Sequence, residues 1–220
     1  MVITIDGPAG SGKSTASRRL AAALGLAYLD TGATYRGLAY YALELGADLE
    51  DEAALADLAG KIDLQLIPDD NGVRVLISGK DVSAAIRTEQ ITALTRHAAG
   101  SALVRGVLVQ LQRKIGRELG GFVTEGRDQG SVVFPDADVK FYLDASAEIR
   151  ARRRTDELQS AGADADYDDI LQSIIDRDQR DIARQVGPLV RPDGAIVIDT
   201  SDMDINQVTD AMIQAVEERT

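Results

Sequence analysis

Cysteine is absent from the 220 residues, and histidine occurs once, as His97. These absences exclude disulfides, thiolate nucleophiles, cysteine zinc sites and histidine metal clusters, and leave His97 as a partly exposed helix residue. No run of about 20 apolar residues occurs, so no membrane span is expected. The N-terminus lacks a basic region followed by an apolar segment, so a signal peptide is not supported and a cytoplasmic location is expected. Basic residues are the minority, 24 against 36 acidic, for a formal net charge of −12. That balance argues against nucleic acid or an anionic membrane as partner, and leaves small molecules. Within the minority, 19 residues are Arg and five are Lys. Forked guanidinium groups suit phosphate and carboxylate recognition, but genomic composition bias gives the same ratio, so position has to decide.

What is present is a core and an alternation. With 45% hydrophobic side chains, the chain is long enough for one sizeable core and a small appended subdomain. "VITI" (2–5) reads as a buried strand, and residues 14–25 read as a helix with apolar positions at helical spacing. "AYLD" follows, then a helix from Thr34 until Gly46, then an acidic helix in "DLEDEAALADLAG" stopped by Gly60. Residues 62–78 change pattern: two alternating runs flank "DDNG", a hairpin signal, and this hairpin is the candidate insertion. Helical pattern resumes over 88–120. Two strand-like runs follow in "GFVTEGRDQGSVVFPDADVKFYLDAS", then the helix "SAEIRARRRTDELQSAG", the polar "ADADYDD", a charged helix to about 185, the strand "AIVIDT" and an amphipathic helix from about 204. Short apolar strands separated by helices predict an α/β fold with a mostly parallel sheet covered on both faces.

Chemistry enters at "GPAGSGKST". Gly7, Gly12, Lys13 and Ser14 match GxxxxGK[ST] between a predicted strand and a predicted helix, as a phosphate-binding loop requires. Glycines let successive amides turn inward, the helix N-terminus adds partial positive charge, and Lys13 supplies a point charge toward the β and γ phosphates. Ser14 is the expected Mg²⁺ ligand. ATP binding is therefore assigned to Gly7, Pro8, Ala9, Gly10, Ser11, Gly12, Lys13, Ser14 and Thr15.

The loop does not say what happens to the γ phosphate. A phosphotransferase, a GTP switch or ATP motor, and a catalytically silent nucleotide-binding module all compete. The switch is weakened because the only asparagines, Asn71 and Asn206, lie in no NKxD element. A motor stays open, since "FVTE", "FYLD" and "AIVID" each end acidic. A kinase acting on an anionic acceptor needs a second cationic site, and Arg36, Arg105, Arg127, Arg177 and Arg184 sit in or near predicted loops or helix ends. Arg177, Asp181 and Arg184 share one helical face by their i, i+4, i+7 spacing; a solvated face of Asp and Arg pairs is the competing explanation.

Taken in order, "DGPAGSGKST", "YLDTGATYR", "EGRDQGSVVFPDADVKFYLDAS" and "RDQRDIARQVGPL" resemble the successive signature segments of bacterial cytidylate (CMP) kinases, across essentially the whole chain. The resemblance implies a P-loop NTPase-type five-stranded parallel sheet with helices on both faces, a small antiparallel β insertion and a helical lid. It implies one kinase domain over 1–220: a core of about 1–35, 84–150 and 186–220, a monophosphate-binding insertion at about 36–87, and a lid at about 150–170. It implies transfer of the γ-phosphoryl group of ATP, with Mg²⁺, to CMP and dCMP, by a protein whose relatives are usually monomers.

Residue roles follow from the same resemblance. Thr31, Tyr35, Arg36 and Arg127 are expected around the CMP phosphate, Arg105, Asp128 and Arg184 at cytosine, and Arg177 with Asp181 at the ribose. A carboxylate paired with guanidinium groups suits a pyrimidine edge carrying an amino donor beside ring acceptors. Glu125 is expected to reach Mg²⁺ through water. Arg150, Arg153 and Arg154 share one side of a helix while Arg152 points elsewhere, and Arg153 and Arg154 are assigned to the transferring phosphoryl group. Arg96 departs from the pattern, standing where many relatives have a small hydroxyl residue at the base. UMP, AMP or shikimate as acceptor, or ATP binding without transfer, remain as alternatives.

Overall fold

The computed structural model describes residues 1–69 and 72–219. Its larger sheet contains β1 (Val2–Asp6), β2 (Ala27–Asp30), β6 (Phe122–Gly126), β7 (Val139–Asp144) and β8 (Ile196–Asp199), in the order β2-β6-β1-β7-β8. The β1–β7 and β7–β8 pairs are parallel, with Ile3 opposite Val139 and Phe141 opposite Ile196. Ile3, Ile5, Phe141 and Leu143 are fully buried, as expected of central strands covered on both faces. Five parallel-type strands with intervening helices are the α/β architecture that the alternation predicts.

The chain divides into two compact units, one of residues 1–26 with the chain from Glu125 onward, the other Ala27–Thr124. In the first unit, α1 (Lys13–Leu24), α6 (Ala147–Ser160), α7 (Tyr167–Ile182) and α8 (Ile205–Glu217) accompany the strands. Each helix after α1 starts on a side-chain cap: Ser146, Asp166 and Asp204 accept amide hydrogens from its first turn, each cap contributing on the order of 1 kcal/mol. α1 differs. Its cap is Gly12 in the left-handed region, with no side chain to satisfy the first amides.

The second unit holds α2 (Thr31–Glu44), α3 (Glu52–Lys61), α4 (Glu89–Gly100) and α5 (Ala102–Leu119) with a three-stranded antiparallel sheet, β3 (Leu64–Asp69), β4 (Gly72–Ile77) and β5 (Lys80–Asp81). Leu38, Ala42, Leu55, Ala59, Ala98, Val104 and Leu108 form its helical core. The expected hairpin pairs Leu64 with Ile77 through Asp69 with Gly72; Asp70 and Asn71 of its turn lie outside the described residues. Sequence pattern missed β5, whose two residues are too few to show a period. Ser78 and Gly79, both at positive φ, turn the chain into it.

Element boundaries shift for local reasons. α2 starts at Thr31 rather than Thr34, because the Asp30 carboxylate accepts from the Ala33 amide at 2.9 Å. α3 runs through Gly60 to Lys61. The helical stretch 88–120 is two helices, broken at Ser101, whose hydroxyl caps α5 and donates to Glu52 at 2.6 Å.

Candidate active site

β1 delivers the chain into the glycine-rich loop. Gly7 has φ +147°, and a Cβ there would lie 2.1 Å from the Leu143 carbonyl oxygen, so only glycine lets the loop leave the strand so close to β7. The loop ends at Gly12, where α1 opens with no capping side chain and no acidic residue in its first turn. A helix start left in that state presents amide donors and partial positive charge to an anion.

Lys13, the first residue of α1, is nearly fully buried and turns its ammonium back into this loop. Its ammonium donates to the Pro8 carbonyl at 2.6 Å and to the Ser11 hydroxyl at 3.4 Å. Burial, reinforced by the Arg127 charge and opposed by Glu125, pushes its pKa down to about 7. Phosphate oxygens beside the ammonium would act in the opposite direction, since an opposite charge favours the protonated amine.

The Ser14 hydroxyl donates to Glu125 Oε1 at 2.7 Å, across 111 positions of sequence. A hydroxyl and a carboxylate held together beside a phosphate-binding loop supply the oxygen donors that Mg²⁺ takes. No cluster of three or more His, Cys, Asp or Glu arranged for a metal occurs among the described residues. The donor set therefore fits an ion that arrives with triphosphate oxygens and water better than one held by protein alone.

Arg127, Arg177, Asp181 and Arg184 gather in the same unit as the loop. Arg127 Nε donates to Asp181 Oδ2 at 2.7 Å, and Arg184 Nη2 pairs with Asp181 Oδ1. Burial raises the Asp181 pKa, but Arg127 and Arg184 outweigh it and hold the carboxyl below its usual range. Arg177 keeps part of its side chain exposed, and desolvation of the rest, followed by the Arg127 charge, pushes it below the ordinary guanidinium range. Three guanidinium groups act on this one carboxylate, and forked guanidinium donors of this kind suit recognition of a phosphate or another anion.

Asp6, a residue that sequence reading passed over, organises the entry to this cluster. Fully buried, it accepts from the Gln129 and Gly130 amides at 2.8 and 2.7 Å, fixing the loop that carries Arg127 and Asp128. Desolvation pushes its pKa up to about 6 against those two bonds. The available signal was its position, an acid directly ahead of the glycine-rich loop. Asp128 is buried nearby and its charge adds to the upward shift.

In the second unit, Arg36 pairs with Asp30 at 2.8 Å. A Cβ at Gly32 would meet Arg36 Nη1 at 2.8 Å, so the glycine makes room for the guanidinium. Arg105 is buried, 5.8 Å from the centroid of the Tyr35 ring, within cation–π range. Thr31 and Thr34 are buried, and the Thr34 hydroxyl donates to the Thr31 carbonyl while accepting from Gln112. Arg96 is exposed and donates to His97 at 3.3 Å.

The arginines of α6 divide. Arg153 Nη1 donates to the Thr200 hydroxyl at 3.2 Å, and Nη2 donates to the Thr200, Ser201 and Met203 carbonyls. The structure thus places Arg153 on the turn ahead of α8. Arg154 pairs with Glu157 at 2.7 Å and is about half exposed. Arg150 instead reaches the phosphate loop, donating to the Ala9 carbonyl at 2.9 Å; helical spacing grouped it with its neighbours but gave no sign of that target.

Comparison with known proteins agrees with this geometry. The sequence profile of the family described as "Cytidylate kinase" matches residues 3–218. A cytidylate kinase from Klebsiella pneumoniae (strain 342) is 44% identical over 218 residues, covering 99% of this chain and 96% of that protein. One from Mannheimia succiniciproducens is 45% identical over 208 residues, covering 94% and 92%. The crystal structure of TT1252 from Thermus thermophilus shares the fold, with a TM-score of 0.54 at 16% identity over 99% of this chain and 96% of that one. No helix among the described residues is long and apolar enough to cross a membrane. The chain belongs to the cytidylate kinase family.

Proposed function

We propose that the protein transfers the γ-phosphoryl group of ATP to CMP, and to dCMP, forming CDP or dCDP and ADP. The observation that carries the proposal is electrostatic. Burial is the main reason that Lys13 of the phosphate loop loses proton affinity, and the charges of Arg127 and Arg177 act on it in the same direction, so a donor-phosphate site and a group of guanidinium side chains lie within electrostatic reach of one another.

The residues divide the work. Loop amides from Gly7 to Thr15 take the donor phosphates, with Lys13 at the β and γ positions. Ser14 and Glu125 hold Mg²⁺, which when bound neutralises charge developing on the triphosphate oxygens. Arg127, Arg36, Thr31 and Tyr35 take the CMP phosphate, Arg177 and Asp181 the ribose, and Asp128, Arg105 and Arg184 the base. A loose phosphoryl transition state needs alignment and charge neutralisation rather than covalent help. That requirement is met without cysteine and without a histidine at the site. Arg153 and Arg154 are proposed to reach the transferring group when the segment 150–170 closes, which requires both to leave their present partners. Residues 36–87 are proposed as the monophosphate-binding insertion, and the active form as a cytoplasmic monomer.

A panel of CMP, dCMP, UMP, AMP and shikimate, each with Mg-ATP and a readout of ADP, tests the proposal. CMP is expected to lead by at least tenfold over UMP. ADP formation independent of any acceptor would instead mark an ATPase.

A further inference from the structure

One buried arginine is used by none of the roles above. Arg150, in the first turn of α6, is 4% exposed. Its Nε donates to the Ala145 carbonyl at 2.8 Å, its Nη1 to the Ala9 carbonyl at 2.9 Å, and its Nη2 pairs with Asp178 Oδ2 at 2.6 Å. One rigid planar group is thereby fastened to the end of β7, to the phosphate loop and to α7. A lysine has no such fork and cannot hold three segments at fixed angles.

The contact to Ala9 has a directional consequence. The chain contains no cis peptide among its described residues, and in a trans peptide the C=O and the following N–H point in opposite directions. Holding the Ala9 carbonyl therefore also fixes the Gly10 amide, turning it away from Arg150. The loop rests directly on this side chain: a Cβ at Gly10, where φ is +79°, would sit 3.3 Å from Arg150 Cβ. Asp178 completes the arrangement at a cost, because its Oδ1 is buried with no hydrogen bond. A carboxylate with one buried oxygen left unsatisfied is a poor device for stability alone. Asp178 also neighbours Arg177 and lies on the helix that carries Asp181.

We infer that Arg150, braced by Asp178, is a positioning residue that presets the Gly10 amide for the ATP phosphates and ties the donor loop to the helix bearing Arg177 and Asp181. The inference deepens the proposed function and rests on its ATP-binding reading.

Steady-state kinetics with Mg-ATP and CMP on R150K, R150M and D178N, each checked by circular dichroism and thermal unfolding, provide the test, with Lys13→Ala as control. R150M leaves the partly buried Asp178 without its cation and risks the fold; D178N is isosteric, and R150K keeps the charge. For folded D178N and R150K the KM for ATP is expected to rise about tenfold and kcat to fall several-fold, with the KM for CMP moving less than about twofold. A role in folding alone would lower the active fraction and leave both KM values in place. If folded D178N and R150K keep a wild-type KM for ATP while Lys13→Ala abolishes turnover, Arg150 does not position the loop. If Lys13→Ala also turns over normally, the fault lies in the assignment of the ATP site itself.

Discussion

The glycine-rich loop and the arginine cluster are both built to receive phosphate or its neighbours, and they are built in opposite ways. The loop is contiguous, Gly7 to Thr15, and works mainly through main-chain amides that need particular φ values and an absence of side chains. The cluster joins Arg127 to Asp181 across 54 positions, and it works through charged side chains held by one another. Backbone geometry is written into local sequence, whereas side-chain convergence is written only into the fold. The two also differ in how they fail. A loop of amides loses function gradually around one charged anchor, while a cluster of three cations around one anion fails together when the anion goes.

Four experiments would break or sharpen that contrast. Lys13→Ala removes the only side-chain charge of the loop and should lower kcat by about 10³-fold at unchanged thermal stability; turnover within tenfold of wild type in a coupled ADP assay would contradict the clamp. Asp181→Ala removes the carboxylate shared by Arg127 and Arg184, and kcat/KM for CMP should fall about 100-fold, with destabilisation of about 3 kcal/mol from the loss of one partner of a largely buried ion-pair group. The KM for ATP is expected to move far less.

The third concerns pH. Free Lys13 has its pKa near 7, so above pH 7 the amine is mostly neutral and ATP must bring a proton with it. ATP affinity should then weaken about tenfold per pH unit above 7, and Lys13→Met should flatten that slope; calorimetry in buffers of different ionisation enthalpy reads the proton uptake directly. The smallest effect expected is at the base. Asp128→Ala should reduce the preference for CMP over UMP by about tenfold or less, and an unchanged ratio would move base reading elsewhere, to Arg105 or Arg96.

Legibility in the sequence followed the same division. The loop was readable because its spacing and its strand-to-helix setting are both local, and so was the β3–β4 hairpin. Arg177, Asp181 and Arg184 could be grouped by helical period, but nothing in that period says that Arg127 joins them. Helical spacing also put Arg150, Arg153 and Arg154 together. It was silent on their separation, in which Arg150 goes to the phosphate loop and Arg153 to the carbonyls of residues 200–203. Asp30 escaped notice as a helix cap because the apolar pattern behind it began later, and Asp6 because a buried acid is recognised only by the amides that surround it.

The central claim is transfer between two held nucleotides, and following the label from γ-³²P-ATP tests it most directly. With Mg²⁺ and CMP present, the label should appear in CDP, and label release in the absence of CMP should be negligible by comparison. Label appearing as inorganic phosphate at the same rate with and without CMP would contradict the account.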